Sequence, residues 1–553
     1  MVLQTFRAAD PAVGRAWHMT DGAAGSWTAT VQEVELDGAE LYGFLVDGVG
    51  PLLDPYATQV RTTPVGARSV LPKPWPVGER GPTVVPVVYE AHVRGMTRSP
   101  TSGVGPPEAG TLAGFRRKLP YLADLGITVI ELMPVHPFDP TRNYWGYMPL
   151  VWGAVHEPFA SGDDPARELA DFVADAHRHG VAVWLDVVFN HTAEEGRAGI
   201  TSSLRGIDDA HAYLFDEHGE YNDDSGCGNV VNPADEEIRR LVLDALERFA
   251  AMGVDGFRFD LATLLTRNHS DLVHRIGDWA AERGVVLVAE PWDLGSYQLG
   301  QWFPDQRWLQ WNDRFRDEVR SYLRSEPGHV AAVAQRVQGS PDIFPDLPAG
   351  GGPGQSVNFL AVHDGLTLHD LTACTSDRHR SWDCGDELRP RQLRNAFCLV
   401  LLSRGTPHFV MGDEFARTQH GEDNPYDRDD ELTWLDWRRL DRHRDLHRFV
   451  RELLRLRRES PIGAVSVHGV GPEPDLSHAS RSLAWATRDL YVMSNTWWEP
   501  LTFEVQAPGP WRRVVDTSLP TPNDIVALDV ARGVGSQVTL APRSTVVLRR
   551  PTM

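Results

Sequence analysis

Arg258 and Asp260 stand two residues apart in "GVDGFRFDLA" (253–262), a run otherwise built of the Val, Phe and Leu of a strand covered on both faces. Alternation puts the guanidinium and the carboxylate on one face. A partly buried pair of this kind can do no more than neutralise itself. Other apolar runs, however, end in the same way. "VAVWLDVVFNH" (181–191) carries Asp186, Asn190 and His191, "VVLVAEPW" (285–292) carries Glu290, and "SVNFLAVHD" (356–364) carries His363 and Asp364. Carboxyls brought together raise one another's pKa and a cation lowers it, so such a group can hold one acid protonated beside one ionised. That is the pair glycoside cleavage needs: one carboxyl protonates the leaving oxygen while the other attacks the anomeric carbon or activates water.

The elements must bring these run-ends to one place. From about residue 84, an apolar strand, a polar loop and a helical segment recur. The strands are read at 87–93, 127–135, 181–191, 253–262, 285–292, 308–315, 356–364 and 407–414. Between them lie helical stretches such as "DPARELADFVADAHRHG" and "PADEEIRRLVLDALERFAAMG", each with an acidic start and a glycine stop. Eight such alternations predict a closed (β/α)8 TIM barrel over 84–458, whose strand C-termini share one rim. The stretch 136–180 exceeds what one loop and helix require and is read as a small subdomain over the mouth. Residues 1–83 lack helical periodicity and carry strand-like runs, "WTATVQEVEL" and "ELYGFLVDG", before the Pro-rich connector "LPKPWPVGERGPTVVP". They predict an N-terminal β-sandwich. After the helix "RHRDLHRFVRELLRLRRESP", residues 459–553 return to strands and predict a C-terminal antiparallel β-sandwich.

Composition narrows the partner. Lys and Arg number 54 against 76 Asp and Glu, a formal charge of −22. That argues against nucleic acid or an anionic membrane and for a neutral or cationic ligand. The start shows no basic segment followed by an apolar run, and nowhere do roughly 18 apolar residues stand together, so a cytoplasmic protein is expected. Cys227, Cys374, Cys384 and Cys398 lack CxxC spacing, which favours free thiols over a zinc or disulfide framework. Eighteen Trp supply flat faces for ring-shaped ligands, although many will be core.

Taken together, "DVVFNH", "GFRFD", "AEPW" and "VHD" resemble the four signature regions of the α-amylase superfamily of retaining glycoside hydrolases and transglycosylases, in order and on the expected strands. The resemblance implies Asp260 as nucleophile, Glu290 as general acid/base and Asp364 as a clamp on sugar hydroxyls. Arg258 would keep Asp260 ionised. His191 and His363 would hydrogen-bond the sugar, Tyr147 of "NYWGYMP" would stack beneath it, and Asp186 would support Arg258. Trp145 and Trp292 are further candidates for sugar contact, with packing as the alternative. Asn190 takes a position that binds calcium in many amylases, but no matching acidic loop is visible, so no metal site is assigned. No organic cofactor is implied, since no Gly-rich phosphate loop occurs in a strand-to-helix setting.

"YEAHVRGMT", "NYWGYMPL", "LRGID", "GCGN", "WNDRFRDEVR" and "GDEFARTQHGEDNPYDRDDELTWLDW" narrow the resemblance, over roughly 40–550, to the isoamylase and glycogen-debranching subgroup. It implies hydrolysis of α-1,6 branch points in glycogen, amylopectin or limit dextrins, and a carbohydrate-binding-like N-terminal module, here looking shortened. Two departures bear on the rim: "LTACTSDRHRSWDCG" is compact where the subgroup has a long Asn- and Gly-rich loop, and Val362 replaces a cysteine. Two other readings stay open: an α-glucan transferase or α-1,4-acting hydrolase on the same machinery, and a non-catalytic glucan binder. The binder is disfavoured because Asp260, Glu290 and Asp364 are all present.

Overall fold

Every second residue of the central strands faces a common interior, and that alternation explains the charged residues in the apolar runs. In the computed structural model, which describes residues 1–22, 26–301, 308–346, 351–506 and 509–551, eight parallel strands close into a barrel. They are β1 (Val88–Ala91), β2 (Val129–Leu132), β3 (Ala182–Val187), β4 (Gly256–Phe259), β5 (Val286–Ala289), β6 (Trp308–Trp311), β7 (Ser356–Asn358) and β8 (Thr406–Val410). Phe257 and Phe259 of β4 point outward into the main core under the helices, as do Leu185 of β3 and Leu287 of β5. Val88, Val129, Trp184, Val288 and Trp311 fill the interior. Arg258, in register with Asp186 of β3 and Val288 of β5, belongs to that inner set.

Each strand is shorter than its apolar run. The ladder stops after three to six residues; beyond it most runs become the rim, whereas the sixth passes into the helix Asp313–Leu323. Glycine opens β4 because a Cβ on Gly256 would lie 2.6 Å from the Trp184 ring, which already fills the barrel there.

The crossover helices start and stop where their sequence says. In α1 (Pro165–Arg178) the Asp164 side chain accepts from the Arg167 N–H, and Gly180 comes two residues after the helix with φ +74°. In α2 (Glu236–Ala251) Asp235 caps both Glu237 and Ile238, and Gly253 turns the chain at φ +100°.

Two expectations are corrected, and one feature was not anticipated. The stretch 136–164 contains a single 3-10 turn, Glu157–Phe159, and no other helix or strand, so it is a long loop leading directly into α1. The larger excursion over the mouth runs from 188 to 235, between β3 and α2. Its polar turns and one short helix, Leu204–Ala212, do not announce themselves by periodicity. In the N-terminal region "VQEVEL" is not a strand: Glu33–Leu36 form a helical turn, closed by a reciprocal pairing of Gln32 and Glu35.

The N-terminal region is a six-stranded antiparallel sheet built from Val2–Arg7, Asp10–His18, Leu41–Val46, Val49–Leu52, Val60–Thr63 and Gly66–Val70. It rests on the loop after β2: Leu53, Ala57 and Val60 pack with Val151 and Ala154, and Arg61 pairs with Glu157 at 2.9 Å. The C-terminal region is a six-stranded antiparallel sheet faced by the ribbon Leu501–Glu504 and Gln537–Leu540. One face packs on that ribbon through Tyr491, Phe503 and Leu540. The other, through Leu483, Trp485, Val492 and Val547, joins the barrel's own core. No helix among the described residues is long and apolar enough to cross a membrane.

Candidate active site

Arg258 organises the rim. It is almost wholly buried, and its Nη1 donates to both oxygens of Asp186 at 3.0 and 2.9 Å and to Asp260 Oδ1 at 3.1 Å, while Nη2 donates to Glu290 Oε2 at 2.8 Å. Its plane lies over Trp311, 4.1 Å from the ring centroid. One planar cation thus holds carboxylates from the ends of three neighbouring strands in a fixed relation.

Both oxygens of Asp260 act as acceptors. Asn190 Nδ2 donates to Oδ2 at 2.9 Å and to the Asp260 carbonyl at 2.8 Å. Glu290 Oε2 takes a second bond, from the Leu261 N–H at 2.9 Å. Leu261 supplies it from a left-handed backbone, φ +38°. A leucine held there is strained, and the strain aims an N–H at the second carboxyl. Among the described residues Glu290 Oε1 has no partner, and the side chain borders the cavity. Burial pushes the Glu290 carboxyl up to about 7, with Arg258 opposing and Asp260 reinforcing the rise. Near neutrality it therefore still carries a transferable proton.

His363 Nδ1 lies 2.7 Å from Glu90 Oε1 and 3.2 Å from the Tyr147 hydroxyl, and its Nε2 lies 3.4 Å from Asp364 Oδ2. Burial disfavours its charge, but Asp364 and Glu90 on either side outweigh that and raise its pKa well above the usual histidine value. Asp364 projects into the cavity with 64% of its side chain open. Desolvation works to raise its carboxyl, and His363 together with Arg258 and Arg316 reverses this, holding it below the usual carboxylate range.

The cavity over these groups measures about 1140 Å³. That exceeds the roughly 300–1,000 Å³ of a small-ligand pocket and leaves room for several sugar rings. Asp260, Glu290, His191, His363, Asp364, Tyr147 and Trp145 all border it. Tyr147 stacks on His363 at 4.7 Å and donates its hydroxyl to Asp186 at 2.5 Å, while Trp145 meets the His363 ring edge-on at 5.1 Å. Nine of the ten residues singled out from sequence thus converge, Asp186 and Arg258 directly beneath the others.

Trp292 does not join them. It faces a neighbouring cleft of about 490 Å³, stacked on Tyr297, and Leu294 borders both spaces. His191 borders the cavity, but both ring nitrogens are engaged inside the protein, Nδ1 by Asn190 Oδ1 and Nε2 by the Tyr147 carbonyl at 2.6 Å. Two oxygens facing one imidazole require both nitrogens to donate. Asn190 is equally occupied, with its nitrogen on Asp260 and its oxygen on His191, so it presents no outward ligand and does not fit a calcium site. Elsewhere among the described residues, a grouping of metal-binding size is formed by Glu90, Glu131 and His408 inside the barrel. Each carboxylate there already faces an imidazole, Glu90 that of His363 and Glu131 that of His408 at 3.3 Å. The four cysteines are unpaired, and Cys227 borders the cavity.

Sequence reading missed Glu90, Leu261, and the outer walls at Asn424, Tyr426 and Asp427. For Glu90 the signal was there: it is a lone carboxylate inside the apolar run "VVYEAHV", as Arg258 is in its own run.

Comparison with known proteins agrees with this geometry. The family model for the α-amylase catalytic domain matches residues 90–227. The glycogen operon protein GlgX homolog of Mycobacterium tuberculosis is 37% identical over 74% of this chain and 63% of its own length. The chloroplastic isoamylase SU1 of Zea mays is 32% identical over 90% of this chain and 77% of its own length. The chain therefore spans somewhat under two thirds of the first of these relatives. Among solved structures, a pullulanase from Bacillus acidopullulyticus shares the fold, with a TM-score of 0.82 at 23% identity over 99% of this chain and 72% of that one. With its closed barrel, its four signature segments at one rim and these relatives, the chain belongs to the α-amylase superfamily, in the isoamylase and glycogen-debranching subgroup.

Proposed function

We propose that the chain is a retaining glycoside hydrolase that cleaves α-1,6 branch linkages of glycogen, amylopectin or limit dextrins by double displacement. The observation that carries this is the single guanidinium bridging Asp260 and Glu290 on the cavity floor. Two nitrogens of one planar group suit the about 5–5.5 Å carboxyl spacing of retaining enzymes better than the about 6.5–9.5 Å of inverting ones.

In the first step Asp260 attacks the anomeric carbon. The departing O6 of the main-chain glucose takes the Glu290 proton, leaving a glycosyl ester on Asp260. In the second step Glu290, now a carboxylate, removes a proton from water as its oxygen attacks the same carbon, and Asp260 leaves. Asp364 and the His363 imidazolium grip hydroxyls of the sugar being distorted. Tyr147 and Trp145 offer ring faces to it, and Asp186, Asn190 and His191 hold the reacting groups in place. Trp292 faces the neighbouring cleft that Leu294 shares with the cavity. The α-1,6 selectivity and the glucan substrate are carried over from the isoamylase and glycogen-operon relatives. Free thiols and an acidic chain fit a cytoplasmic enzyme meeting a neutral polymer.

The test is to incubate the protein separately with glycogen, pullulan and linear maltoheptaose and resolve the products by length. Short linear chains from glycogen with maltoheptaose untouched are expected. Redistribution of maltoheptaose into longer and shorter sugars would make the enzyme a transferase instead.

A further inference from the structure

Outside the catalytic cavity, two exposed aromatics stand side by side in one turn. Trp497 and Trp498 are consecutive residues in the turn between the C-terminal strands Leu490–Asn495 and Leu501–Glu504, and they are 40% and 54% exposed. Single apolar residues at a surface are ordinary, but two adjacent indoles make a contiguous aromatic surface.

These rings are held in place. Arg543, 1% exposed, lies 4.7 Å from the centroid of Trp498 and 4.9 Å from that of Trp382. Its guanidinium is fixed by the carbonyls of Thr496, at 2.6 Å, and Leu323. Trp382 meets Trp498 edge-on at 6.1 Å, and Arg481 lies 5.9 Å from Trp497. Trp382 belongs to the compact loop after β7, so barrel and C-terminal sheet build the feature jointly.

Among the described residues neither exposed indole N–H has a partner. Each ring therefore offers a flat apolar face together with an unused donor at its edge. A pyranose has the matching character, a face of axial C–H groups rimmed by hydroxyl acceptors. Rings fixed before binding also lose little conformational freedom when they are covered. The chain's charge of −22 works against polyanions and leaves a neutral sugar unhindered.

We propose that Trp497 and Trp498, braced by Arg543 and Trp382, form a second glucan-binding platform that holds an outer chain of the polymer while another chain occupies the cavity. This rests on the debranching reading for its ligand and adds a site to it.

The experiment combines native electrophoresis in gels containing glycogen with kinetics on glycogen and on a short, singly branched oligosaccharide. The parent should be retarded by glycogen. Trp498→Ala and the double change Trp497→Ala/Trp498→Ala should weaken that retention at least fivefold and lower kcat/KM on glycogen by a similar factor. Turnover of the short oligosaccharide should not change, and Trp498→Tyr, which keeps a ring, should restore most of the retention.

Unchanged retention in the double variant would overturn the platform, as would an equal loss of kcat/KM on both substrates. Light scattering showing a dimer that the double change splits, with glycogen retention intact, would assign the surface to a second copy and also overturn it. Failure of the parent to open the short oligosaccharide would instead count against the debranching reading, since that substrate does not reach the platform.

Discussion

Arg258 serves three carboxylates at once, and the site's chemistry depends on how unequally it serves them. Glu290 must enter the first step protonated. With its carboxyl raised to about 7 by burial, the proton is lost as pH rises through that value, so kcat/KM should fall above about pH 7. Glu290→Gln should lower kcat by about 10²- to 10⁴-fold and remove this alkaline limb, measured as a pH–rate profile. Asp260→Asn should abolish turnover while glycogen still binds, and unchanged turnover would remove the nucleophile assignment. Glu90 acts one step back, holding His363 charged against Asp364. Glu90→Gln should cost about 10- to 100-fold in kcat/KM, the worth of a charge-assisted hydrogen bond, and the deficit should grow with pH as His363 deprotonates earlier. A deficit independent of pH would reduce Glu90 to a packing role. Much at this scale was legible, because a charge in a strand buried on both faces has few explanations. Glu90 shows the limit: the same signal was present, but no signature segment drew attention to it. Trp292 and Asn190 show another, since side-chain direction and hydrogen-bond occupancy are decided by tertiary neighbours.

At the scale of elements, the barrel strands announced themselves as apolar runs, and the helices by their Asp caps and glycine stops. Strand ends did not. The runs continue past the last ladder bond because the rim residues are as buried as the strand itself, so composition carries no boundary. The excursion at 188–235 was missed for the opposite reason, its polar turns giving no period to detect. Gly256 tests the packing account of the interior directly. Gly256→Ala would set a methyl 2.6 Å from Trp184 and should destabilise the fold by about 1–3 kcal/mol in chemical denaturation. No change in stability would mean the Trp184 ring has room to move.

At the scale of the whole molecule, a six-stranded antiparallel sheet on either side of the barrel in sequence is coupled to the barrel region by shared cores. Trp485 of the C-terminal sheet is fully buried in the barrel's core and donates its indole N–H to the Leu402 carbonyl at 3.1 Å. Barrel and C-terminal sheet should therefore melt in one calorimetric transition, which Trp485→Ala should shift downward as a whole, a loss of about 3–5 kcal/mol. A separate early peak for the C-terminal sheet would contradict that coupling. The N-terminal region packs on the loop that carries Trp145 and Tyr147, Val60 sharing a small apolar cluster with Val151 and Ala154. The central claim joins linkage, stereochemistry and site, and proton NMR of a branched dextrin during the first minutes of reaction addresses it most directly. The anomeric signal of α-1,6 linkages should decline while that of α-1,4 linkages holds, and new reducing ends should appear first as the α-anomer. Loss of α-1,4 signal, or β-anomer appearing first, would contradict the account.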